Sequence, residues 1–115
     1  MKDISGTIQY KDKEFKLVFN LNVMEEIQTE YGSLEKWGDL TSGEDGEPDA
    51  KAVIFGFRAM LNEGIDIDNE ENGTDTKPLS MKQVGRIITE YGFANATEKL
   101  HKTVVDSTKG EEKNG

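Results

Sequence analysis

An alternating strand runs almost without a loop into a helix over Phe15–Gly32, and this junction commits the chain to a mixed fold. Phe15, Leu17, Phe19 and Leu21 share one face at period two. Asn22 is then the expected helix cap, with Glu25 three residues on, where it can close a capping box. Val23, Ile27 and Tyr31 form the next apolar face at helical spacing. Gly32 follows, where a left-handed residue ends a helix at low cost. The stretch is structural throughout and carries no catalytic chemistry.

Upstream, Ile4, Gly6, Ile8 and Tyr10 alternate with polar residues as a first strand, and Asp12-Lys13 is the expected two-residue turn. One hairpin face then presents Ile8, Tyr10, Phe15, Leu17 and Phe19. A lone two-stranded ribbon is marginal in water, so this face must pack on helices or meet another chain. Unpaired hairpin edges are compatible with self-association.

Downstream, Ser33 is placed to cap a short helical turn holding Leu34 and Trp37. Trp37, the single tryptophan, either closes the core beside the hairpin or stands exposed as an interface anchor. Asp39–Asp49 has the composition of a loop. A second helix is expected from Asp49 to Asn62, with Val53, Ile54, Phe57, Met60 and Leu61 as its stripe and Gly64 as its stop. Ala52 and Gly56 leave room for a close neighbour. Residues 63–78 read as a second acidic loop. Ser80 and Gln83 then form a capping box for a helix over Met81–Tyr91, with Val84, Ile87, Ile88 and Tyr91 on its apolar face. A last helix is expected from Ala96 to Asp106, capped by Asn95 and Glu98. The endings Ile27–Gly32 and Ile87–Gly92 echo each other as a recurring helix stop, with no match in their flanks.

These elements predict an α+β fold, an N-terminal β-hairpin packed on a small bundle of three to four short helices. Its expected extent is one domain over residues 1–106, with acidic loops at 39–49 and 63–78 and a polar flexible tail at 107–115. The expected core holds Phe15, Leu17, Phe19, Ile27, Tyr31, Val84, Ile87 and Ile88.

Charge narrows the function. The net charge of −9 lies between Asp39 and Thr76, where eleven acids face only Lys51 and Arg58. The remainder is neutral. No basic footprint exists for a nucleic-acid backbone. The acidic segment either keeps the protein soluble or steers a basic partner. The absence of cysteine excludes disulfides and thiolate chemistry, and an intracellular site of action is compatible with it. The opening MKDISGT lacks the apolar region of a secretory signal, and no apolar window is long enough for a membrane span.

Chemistry is hard to find. His101 is the sole histidine and has no nucleophile–base set around it in sequence. Asp66, Asp68, Glu70 and Asn72 alternate like a calcium loop, but the register from Asp68 puts Leu79 where the bidentate acid belongs. The register from Asp66 puts Glu71 at the glycine position. No phosphate-binding loop is present. A non-catalytic chain without metal or other cofactor is expected, and protein binding is the function left.

Taken in order, the hairpin, FNLNVMEEIQTEYGSLEKW, VIFGFRAMLNEG and PLSMKQVGRIITEYG resemble the tail assembly chaperones of long-tailed bacteriophages and of prophages in Gram-positive bacteria. The first block matches at Asn22, Glu25, Glu26, Tyr31 and Gly32. The second matches at Phe55, Phe57 and Met60, and then at Leu61, Asn62, Glu63 and Gly64. The third matches at Leu79, Ser80, Val84, Gly85, Ile87 and Ile88. The resemblance spans residues 5–92 and rests on the order of the blocks. It implies binding of the tape measure protein, help in recruiting tail tube subunits, residence in the bacterial host cytoplasm, and absence from the mature virion. Many members also have a longer form made by ribosomal frameshifting, and residues 107–115 would suit a linker at such a junction. Trp37, Phe55, Phe57 and Met60, with the hairpin face, are the expected client contacts. The competing expectations are a tail terminator or completion subunit, and a small regulatory protein that binds a host protein.

Overall fold

The computed structural model describes residues 6–44 and 46–113. An antiparallel hairpin packs on five helices, an α+β arrangement that is 69% helical and 10% strand. Strand β1 (Gly6–Tyr10) pairs with β2 (Lys13–Leu17) through Gly6↔Leu17, Ile8↔Phe15 and Tyr10↔Lys13. Ile8 and Leu17 are buried, Tyr10 and Phe15 half-buried, and Thr7, Gln9, Glu14 and Lys16 stand exposed on the other face. Ile4 lies outside the described residues. The turn is Lys11-Asp12, one residue earlier than expected. Both registers put the same side chains inward, so alternation alone does not choose between them.

The strand-to-helix junction also shifts. β2 stops at Leu17, and the Val18 N–H donates to the Met60 carbonyl at 3.3 Å. Asn20, rather than Asn22, caps α1 (Leu21–Tyr31), its Oδ1 accepting the Val23 N–H at 3.2 Å. Leu21 is therefore the first helical residue and is 75% exposed, off the strand face altogether. Glu25 accepts the Thr29 hydroxyl proton instead of serving a cap. The Asn20 and Asn22 amides both donate to Glu63 Oε2, at 2.8 and 3.1 Å. This pins the start of α1 to the third helix while Val23 and Ile27 turn into the core.

Ser33 caps α2 (Leu34–Ser42), a full helix that takes in Asp39–Ser42 from the expected loop. Asp49 caps α3 (Ala50–Asn72), which runs straight through Gly64. Gly64 is not a stop because it is a crossing point. A Cβ there would lie 2.8 Å from the Lys16 carbonyl oxygen of β2. The helix ends instead at Gly73, so most of the expected acidic loop is helical. The return segment is held along α3 by two asparagines. Asn62 accepts the Leu79 N–H at 2.7 Å and donates to its carbonyl at 3.1 Å. Asn69 accepts from Thr74 and Thr76 and donates to the Thr76 carbonyl.

Both bonds of the Ser80–Gln83 capping box open α4 (Met81–Tyr91). α5 (Phe93–Lys113) starts directly after Gly92 rather than at Ala96, and Asn95 donates back to the Tyr91 carbonyl at 3.3 Å instead of capping. α5 continues through most of the expected tail; Asn114 and Gly115 lie outside the described residues. Gly32 and Gly92 close their helices alike, at φ 94° and 101°, a region open mainly to glycine.

α3 is the axis of the molecule. Val53, Phe57, Met60 and Leu61 join Leu17, Ile27, Trp37, Ile87 and Leu100 from the other elements in one core cluster. Of the expected core, Leu17, Phe19, Ile27, Val84, Ile87 and Ile88 are buried, while Phe15 and Tyr31 pack half-buried against it.

Candidate functional site

Three of the four expected client contacts are closed off. Trp37 is 1% exposed, and Phe57 and Met60 are 0% exposed. The cause is the central position of α3, whose apolar stripe meets the hairpin and every other helix. Trp37 lies against the gap left by small residues. Its Nε1–H donates to the Ala52 carbonyl at 2.9 Å, and a Cβ on Gly56 would stand only 2.4 Å from its Cζ2. Phe55 alone keeps some exposure, and Tyr31 meets it edge-on with ring centroids 5.5 Å apart. The small–small spacing Ala52–Gly56 in sequence was the signal that a large side chain seats there.

Surface hollows lie elsewhere. One of about 250 Å³ is lined by Phe19, Leu21, Met24, Ser107 and Thr108 where the start of α1 meets α5. Two larger ones, about 800 and 520 Å³, meet at Tyr10 and Arg86 between the hairpin tip and α4. Ile54, Met81, Phe15 and Leu79 give them apolar walls, and Lys11, Lys13, Lys82 and Arg86 give them cations. The Lys11 ammonium sits 5.4 Å from the centre of the Tyr10 ring. Sequence reasoning missed this groove because its cations come from segments distant along the chain.

Two carboxylates of the acidic segment hold contacts across the fold. Asp68 meets Lys16 at 3.1 Å, and Glu63 accepts from two asparagines. On a helix, the alternation of Asp66, Asp68 and Glu70 sends successive carboxylates to nearly opposite sides. Among the described residues no group of three His, Asp or Glu could hold a metal ion.

His101 is half-buried and ties α5 to α2, its Nε2 lying 2.8 Å from the Thr41 hydroxyl. Burial pushes its pKa below the usual 6.5. Burial, then the nearby Asp49 and Glu30 carboxylates, pushes the Tyr31 hydroxyl above its usual range. No helix among the described residues is long and apolar enough to cross a membrane. No protein-family model, curated protein or solved structure matches the chain.

Proposed function

We propose that this chain is a non-catalytic tail assembly chaperone of a long-tailed phage or prophage. It binds the tape measure protein, keeps it soluble and assists assembly of the tail tube in the host cytoplasm, without entering the virion. The observation that carries this proposal is the order of the three blocks, at 19–37, 53–64 and 78–92, behind an N-terminal hairpin. Their helices α1, α3 and α4 surround a single core, which supports reading the blocks as one domain's framework. A strand content of 10% weighs against a tail terminator, which would be richer in β structure.

The client contacts are reassigned. With Trp37, Phe57 and Met60 buried, the tape measure protein meets apolar groups at the surface, of which Leu21 is the most exposed. The test is co-expression with a phage tape measure protein from the genome that encodes this chain. The expected result is a soluble tape measure protein that co-purifies with the chain, and weaker recovery with Leu21→Glu. A client that stays insoluble and unbound removes the proposal.

A further inference from the structure

We propose that the groove between the hairpin tip and α4 binds an acidic, apolar-studded segment of a partner protein. The inference holds whether or not the chain is a tail chaperone. Its first support is charge. The chain has 23 acids against 14 bases, so a surface on which cations outnumber acids departs from its overall balance. Lys13, Lys82 and Arg86 form no ion pair among the described residues, as holds for most of the described cations, so the support is their gathering on one surface, where Lys11 rests on Tyr10. All four line the two joined hollows, against Asp12 and Glu90 as the only acids among the described residues that line them. The groove is thus net positive on a chain of net charge −9.

The second support is Gly85. It sits mid-helix in α4, where glycine costs about 0.5–1 kcal/mol relative to alanine. Packing does not require it. An added Cβ would meet only Ile54 Cδ1, at an ordinary 3.7 Å. Gly56 and Gly64, by contrast, are each forced by a neighbour under 3 Å away. Gly85 lines the groove, so its missing side chain leaves the wall low where an occupant enters.

The chemistry of the occupant follows. An apolar segment lying over Tyr10, Ile54 and Met81 would desolvate the surrounding cations, which is costly unless the segment brings carboxylates to them. A basic segment would face like charges. A nucleic acid would carry its phosphates past the acidic remainder of the chain as well, whereas a short acidic segment need meet only the screened local field of the groove. A second copy brings a whole-chain charge of −9 against −9, a repulsion that a short acidic segment does not carry, although the acidic end of its α3 has the right sign.

The test is selection of a random peptide library against the full chain, followed by anisotropy titration of the enriched peptides. The expected ligands are acidic with several large apolar residues. Lys82→Glu with Arg86→Glu should weaken them by about tenfold or more, because both residues are exposed and act through charge. Lys36→Glu with Lys51→Glu makes the same change in net charge outside the groove and should leave affinity within about twofold. Gly85→Leu should abolish binding, and the Lys82/Arg86 pair decides the matter if that variant does not fold. Enrichment of neutral or basic peptides, or of none, overturns the proposal. So does indifference to the Lys82/Arg86 reversal, or displacement of the peptide by a single-stranded oligonucleotide. Light scattering that detects self-association lost on the same reversal assigns the groove to a second copy and overturns it as well.

Discussion

Gly56, Gly64 and Gly85 all sit inside helices, and they separate packing from propensity at the scale of one residue. Gly56→Ala drives a methyl into the Trp37 ring, and Gly64→Ala drives one into the Lys16 carbonyl. Each is expected to lower stability by about 1–3 kcal/mol, overpacking outweighing the gain in helix propensity. Gly85→Ala meets only ordinary contact and is expected to raise stability by about 0.5–1 kcal/mol. Urea denaturation of the three variants checks this; equal effects at all three would contradict the packing described. His101 gives a pH signature. Its folded pKa lies below the unfolded value near 6.5, so as pH falls the unfolded chain takes up this proton first. The stability it supports is complete above that value and is lost as pH drops toward the folded pKa. Denaturation midpoints should therefore fall more for the native chain than for His101→Gln between about pH 7.5 and about pH 5.5. Sequence exposed some of this and hid the rest. The Ala52–Gly56 spacing announced a close neighbour, but only the fold identifies it as Trp37. Gly64 was indistinguishable from a stop signal, because a crossing strand leaves no mark in the helix it crosses.

Among elements, caps and periodicity were the legible features, and boundaries were not. The Ser80–Gln83 box is formed as its residues specify, because both partners are local. The α1 cap is Asn20 rather than Asn22, and both amides are held by Glu63, a contact distant in sequence. The acidic stretch after Asn62 has the composition of a loop, yet it continues α3 and pairs with β2 through Lys16–Asp68. Asn62 decides how the chain returns from that extension, since its amide bonds both backbone groups of Leu79. Asn62→Ala is expected to cost about 1–3 kcal/mol, by leaving those groups unpaired, and to speed amide exchange at Leu79 and the start of α4. Hydrogen exchange at unchanged Leu79 protection would show that Asn62 does not anchor the return. The interaction surface was the least legible. Phe55, Phe57 and Met60 read from sequence as contacts, but packing around α3 buries Phe57 and Met60 and leaves Ile54 and Phe55 half-buried on the same helix.

At the scale of the molecule, a single core is built around α3, and surface hollows with apolar walls lie at the hairpin tip, the start of α1 and α4. On the proposed reading, the client is held on the outside and the core does not open to receive it. Hydrogen exchange on the free chain and on its co-purified complex with the tape measure protein tests that claim most directly. The expected result is slow exchange over 52–61 in both states, with new protection confined to surface segments such as the start of α1. Rapid exchange over 52–61 in the free chain that becomes slow only in the complex would contradict it, and would return Trp37, Phe57 and Met60 to the client.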